Sequence, residues 1–268
     1  VTKQILRSYV PFMIGVSFLL LLFSLDGQLS KVDSIILFIG GVTYTLSLIY
    51  QSSKQSVEHD KFTEEYSLSE PVTLIAWVKN GVYIIGGLVL LVLGSRWLVA
   101  SAITIAEYFQ VSKLIVGLTI VAVGTSLPEL FTSVIASYRG ETEIAVGNVL
   151  GSNIFNILAV LGVSGIVAPN GINVSPTVIS FDILVMIAVA FACPPIFYSG
   201  KRIERWEGIL FLFYYVAYTA YLILDSVDHP ALPVFVNIMV LGVIPLTAIA
   251  LITIAIMEKR AKSKKTII

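Results

Sequence analysis

A single cysteine, Cys193, stands in 268 residues, with only two histidines, His59 and His229. One cysteine excludes both a disulfide framework and a thiolate metal cage, and its apolar setting marks it as a small packed hydrophobe. The histidines fall in connecting segments, so neither a histidine-ligated metal nor a serine–histidine hydrolase has its parts. No catalytic set emerges: the chain does not read as an enzyme, and nothing calls for a resident cofactor. Charge is scarce too. Charged side chains make up 13% of the sequence, 17 basic against 17 acidic, so no excess of one sign points to nucleic acid or an acidic partner.

What fills the space is apolar: 57% of residues are hydrophobic, in runs longer than a globular core helix needs. Eight runs are able to cross a hydrocarbon layer of about 30 Å: Val10 to Leu25, Ser34 to Tyr50, Gly81 to Ile105, Leu114 to Tyr138, Ile144 to Ala168, Val178 to Tyr198, Glu207 to Leu224 and Leu232 to Met257. They are continuously apolar rather than alternating, which predicts helices, not a barrel. The expected fold class is all-α polytopic membrane protein with about eight transmembrane helices, and its first partner is the lipid bilayer. Lys3 and Arg7 before an apolar run imitate a signal peptide, but no small-residue cleavage site follows and further spans do. A first residue Val1 leads to the expectation that the chain begins inside a longer protein.

Numbering the connections alternately puts fourteen of the 17 basic residues on one side, leaves Lys31 and Lys113 on the other, and keeps Arg96 inside a span. The basic side is the cytoplasm, so both ends of the chain are expected there. Arg96 snorkels outward beside Trp97, and Trp77 and Trp206 serve as interfacial anchors. The expected division is residues 1–50 with two helices, a polar cytoplasmic linker over 51–71, a membrane region over 72–226, and an extra helix with a basic tail over 227–268. Glu58, Asp60, Glu64 and Glu65 in the linker suit a solvated spacer better than a regulatory cation site.

The fourth span holds GTSLPELFTS, residues 124–133, in which Glu129 follows Pro128. An acid at mid-span costs roughly 2.5 to 3.5 kcal/mol, which the surrounding apolar residues absorb without explaining it. Proline removes a backbone donor and crowds the carbonyl of Gly124, and irregular backbone at this depth is tolerated where it lines a cavity. Thr125 and Ser126 lie four and three residues before Glu129, on its helical face. In the fifth span Asn148, Ser152 and Asn156 recur every fourth residue, with Asn153 beside them, and Gly147 and Gly151 open room for a neighbouring helix. The donors are all oxygen or amide, a chemistry for hard cations. One carboxylate is too little for a dry calcium site. The bland readings stay open: Glu129 paired for helix packing or set in a polar turn, the amides as interhelical glue, and Asp182 as a charge at a helix end.

GTSLPELFTS followed by GNVLGSNIFNILAVLG resembles the second α-repeat of the calcium/cation antiporter superfamily, specifically bacterial sodium/calcium exchangers, over roughly residues 3–226. The resemblance implies two inverted repeats, of which this sequence holds one, so that an N-terminal half with the first repeat is expected as its partner. It implies that Glu129 is the shared carboxylate, with Thr125, Ser126 and the carbonyl of Ala122 from its own helix and Ser152 and Asn156 from the facing one. Asn148 and Asn153 complete the candidate set. It also implies that calcium and sodium are exchanged by alternating access in a bacterial inner membrane, the span Gly81 to Ile105 sliding on its glycines at 81, 86, 87 and 94, which equally suit ordinary close packing. Asn156 argues weakly against potassium cotransport. The alternatives are a proton/calcium antiporter, a cation channel, and a half-protein that does not transport by itself.

Overall fold

The computed structural model describes residues 8–55, 74–108, 122–198 and 203–253. In chain order these form α1 (Val10–Ser24), β1 (Gln28–Leu29), α2 (Lys31–Gln55), α3 (Leu74–Tyr108), α4 (Ala122–Thr125), α5 (Leu127–Tyr138), α6 (Thr142–Phe155), which continues through a π-helical stretch (Asn156–Leu161) into α7 (Gly162–Val167), and β2 (Ile172–Asn173). A second π stretch (Val178–Asp182) leads into α8 (Ile183–Tyr198), followed by α9 (Arg205–Ser226) and α10 (Leu232–Ile238), itself continued by a third (Met239–Val243).

Lys31–Gln51, Thr142–Val167, Val178–Phe197, Arg205–Ser226 and Leu232–Thr253 are each long and apolar enough to cross a membrane. Each run expected to span carries helix over its described residues, those past 253 in the last run lying outside them. The chief departures are α2, which continues to Gln55, and α3, which at 35 residues outruns the expected Gly81 to Ile105. The acidic group at Glu58, Asp60, Glu64 and Glu65, and the first part of the expected fourth span, lie outside the described residues.

Helix ends follow from local chemistry. Pro11 occupies the first turn of α1, where its absent N–H costs nothing. The turn after α1 uses Gly27 at φ +83°, a backbone shape that suits glycine. Ser30 and Asp33 cap α2 reciprocally: the Ser30 N–H donates to Asp33 Oδ2 at 3.0 Å and the Asp33 N–H to Ser30 Oγ at 3.2 Å. Glu204 and Glu207 do the same for α9, which buries Glu207 almost completely.

The packed centre joins α1, α2, α6 with its π and α7 continuation, and α8. Val10, Met13, Val16 and Leu20 line one face of α1 and meet Leu150, Ile154, Ile183, Ile187 and Ile196. The tightest seam runs between α2 and the stretch 158–165. A Cβ on Gly162 would lie 2.9 Å from the Phe38 amide nitrogen, and one on Gly165 would lie 2.0 Å from Ser34 Oγ. Close helix approach through small residues is the usual means of association where no hydrophobic force acts between helices. Elsewhere large apolar side chains such as Leu22, Ile39, Leu46, Leu212 and Leu241 are exposed, a surface suited to acyl chains.

One detail adds to the all-α architecture. β1 and β2 form a two-stranded antiparallel sheet, Gln28 opposite Asn173 and Leu29 opposite Ile172. The Val174 N–H donates to the Gly27 carbonyl at 2.9 Å, and Gln28 Nε2 donates to the Asn170 carbonyl. This strap ties the α1–α2 turn to the α7–α8 turn. Asp182, expected as an end-of-helix charge, accepts a 2.7 Å hydrogen bond from the Tyr218 hydroxyl and so links α8's entry to α9.

Candidate cation site

The fourth helix breaks where proline makes it break. α4 stops at Thr125, Ser126 sits at φ −93°, ψ 0°, and α5 restarts at Leu127 with Pro128 in its first turn. Pro128 has no N–H for the Gly124 carbonyl. The chain resets instead with the Ser126 N–H on the Val123 carbonyl at 3.1 Å and the Leu130 N–H on the Ser126 carbonyl at 3.0 Å. Gly124 is buried at the break, where α3 arrives: a Cβ there would meet Leu98 Cδ2 at 2.7 Å.

Glu129 therefore occupies the first turn of α5, where the helix dipole favours a negative charge. Its Oε2 atom is buried and has no hydrogen-bond partner among the described residues. An unpaired buried carboxylate oxygen is costly, so its position requires an explanation beyond packing. Thr125 and Ser126 are exposed on the same stretch, and Ala122 begins it.

α6 lies against α5, the two joined by the short Arg139–Glu141 connection with Gly140 at φ +83°. Asn148 makes the bridge. Its Nδ2 donates at 3.0 Å to the main-chain carbonyl of Glu129 and at 3.0 Å to Ser133 Oγ. Ser133 in turn donates to the Ala145 carbonyl at 3.5 Å. The rest of the stripe behaves differently. The Ser152 hydroxyl donates to the Val149 carbonyl at 3.0 Å and Asn153 Nδ2 to the same carbonyl at 2.8 Å. Asn156 is exposed where the π stretch opens.

Thus the structure brings Glu129 and Asn148 together through the backbone, while Ser152 and Asn153 bond within their own helix. Ser133 was not singled out from the sequence, although it lies four residues after Glu129 on the same face. Among the described residues no three His, Cys, Asp or Glu side chains converge on a metal-sized site. Gly147 and Gly151, expected to admit a close helix, instead border a cleft of about 200 Å³ opposite Tyr9 and Tyr44, with nothing within 4 Å of where their Cβ atoms would be. The glycines at 81, 86, 87 and 94 on α3 are likewise open.

Helices long and apolar enough to cross a bilayer define an integral membrane protein. The family model described as sodium/calcium exchanger protein matches residues 79–224, and the chain belongs to that family. It is 39% identical over 229 residues to CaxA of Alkalimonas amylolytica, covering 84% of this chain and 70% of that protein. It is 33% identical over 198 residues to the inner membrane protein YrbG of Escherichia coli K12, covering 72% of this chain and 59% of YrbG. It is 41% identical over 128 residues to the sodium/calcium exchanger MaX1 of Methanosarcina acetivorans, covering 48% of this chain and 36% of MaX1. No solved structure matches the chain.

Proposed function

We propose that the protein exchanges sodium for calcium across a bacterial inner membrane by alternating access, with Glu129 as the carboxylate that holds the cation. The observation that carries this reading is the buried Glu129 Oε2 without a hydrogen-bond partner among the described residues, beside the helix break at Ser126. A carboxylate in that state is stabilised by a positive ion. Thr125, Ser126 and the Ala122 carbonyl are the oxygens of its own helix. Ser152, Asn153 and Asn156 offer oxygens from the facing helix, and Asn148 stands at the N-terminal end of the same stripe. One carboxylate offsets one charge only, so the site takes its full charge in company with an inverted counterpart of this repeat, a motif that occurs once in this sequence. Family membership and the relative named a sodium/calcium exchanger support the cargo. Exchange needs no covalent step: a shared carboxylate neutralises one divalent ion or its monovalent replacements in turn.

The test is calcium flux into vesicles carrying the full-length gene product, driven by a sodium gradient, in the wild type and in Glu129→Gln. The substitution keeps size and removes charge, and flux is expected to fall by roughly a hundredfold or more, on the scale of losing a principal charged contact. Undiminished exchange in Glu129→Gln sinks the assignment. Flux that ignores sodium and follows a pH gradient replaces sodium with the proton as counter-ion.

A further inference from the structure

The contacts of Asn148 give it a role other than that of a cation ligand. A main-chain carbonyl can only accept, so the group facing the Glu129 carbonyl at 3.0 Å is the amide nitrogen. The same nitrogen faces Ser133 Oγ at 3.0 Å. Both N–H bonds of Asn148 are thereby committed to α5, and Ser133 passes the connection on to the Ala145 carbonyl of α6. The latch grips residue 129 by its backbone. The carboxylate of that residue has no partner of its own at Oε2 among the described residues, so its direction is set by how its main chain is held.

We propose that Asn148 and Ser133 are positioning residues that fix the Glu129 carboxylate from behind. They anchor its carbonyl to α6 so that the charged end stays unpaired and aimed for a cation. The inference rests on the transport reading above for its consequence, and on the hydrogen bonds alone for its geometry. An anchor on the backbone side has a clear advantage over one on the carboxylate: a bond to the carboxylate oxygens would have to break whenever the ion arrives, whereas a bond to the carbonyl persists through the cycle. It also makes α5 and α6 move as one piece.

The ligand and positioning roles separate under one isosteric change. Asn148→Asp keeps the oxygen, adds negative charge and removes both donors. A ligand would bind calcium as well or better after this change. A positioning donor would bind worse, because the Glu129 carbonyl loses its anchor and gains a repelling neighbour. In the full-length gene product in proteoliposomes, Asn148→Asp is expected to raise the half-saturating calcium concentration by roughly tenfold or more, the usual scale for losing a residue that orients a metal ligand, with a smaller effect on maximal rate. Ser133→Ala should shift it in the same direction by a few-fold, roughly, and Ser133→Thr, which retains the hydroxyl, should restore it.

Calcium bound as tightly or more tightly by Asn148→Asp overturns the proposal in favour of a ligand. An unchanged half-saturation with lowered yield or maximal rate overturns it in favour of plain helix glue. If Asn148→Asp does not fold, the Ser133 pair decides on the same readout. A second measurement works without transport: the melting-temperature losses of Asn148→Leu and Ser133→Ala in detergent should be non-additive, as for partners in one network. Additive losses dismiss the latch even if the wild type exchanges calcium, and non-additive losses in a wild type that moves no calcium retain the latch while removing the transport reading.

Discussion

Gly162 shows how much a single hydrogen atom in place of a methyl group decides. A Cβ there would approach the Phe38 amide nitrogen to 2.9 Å and its Cα to 3.1 Å, and backbone cannot swing aside as a flexible side chain does. Gly162→Ala is expected to destabilise the protein by about 1 to 3 kcal/mol through forced separation of α2 and α7. The control is Gly86→Ala, where a Cβ meets open space; that change should be neutral or stabilising by up to about 1 kcal/mol, since alanine is the better helix former. Thermal unfolding in detergent measures both, and equal stability of the two variants would contradict the seam. The same scale shows what the sequence revealed of the site. Glu129 beside Pro128 is legible because an acid and a helix breaker are each expensive at that depth, so their coincidence needs a cause. Ser133 is not legible, because a hydroxyl in an apolar helix commonly bonds its own backbone one turn earlier, as Thr132 does with Pro128 and Ser17 with Met13. Only the facing position of Asn148 gives Ser133 its meaning.

At the level of elements, the broken helix at Ser126 is the feature from which the site follows. Pro128→Ala returns an N–H able to reach the Gly124 carbonyl, and the expected result is a continuous helix from α4 into α5 that draws Ser126 back into the regular ladder. The protein should remain folded, with a melting temperature equal to or above that of the wild type, while, on the proposed function, calcium flux falls by about tenfold or more because Glu129 is turned away from its place beside the break. Retained flux together with a straightened helix would show that the break is incidental. The break was readable in advance, since proline acts locally and always on the same carbonyl. The π stretch at Asn156–Leu161 was not. It arises from one extra residue accommodated in a turn, and in a uniformly apolar run no change of period marks where that happens. The strap of β1 and β2 escaped notice for a related reason: a strand of two residues has no alternation to read, and it exists only because the two turns meet.

For the whole molecule, the strap and the basic connections make a claim about orientation. The α1–α2 turn and the α7–α8 turn share one end of the bundle because β1 pairs with β2, while the Arg139–Glu141 connection closes the α5–α6 hairpin one crossing away. From the excess of lysine and arginine on one set of connections, the second of these ends is expected in the cytoplasm and the strap outside. Asp26 precedes the strap, and Glu141 sits in the hairpin turn. With the lone Cys193 replaced by serine, cysteine at one or the other of these positions reports the side directly through a membrane-impermeant thiol reagent. Asp26→Cys should be modified in intact cells, and Glu141→Cys only after the membrane is permeabilised. The opposite pattern would invert the molecule, and modification of both from outside would mean that the helices between them cross an even number of times.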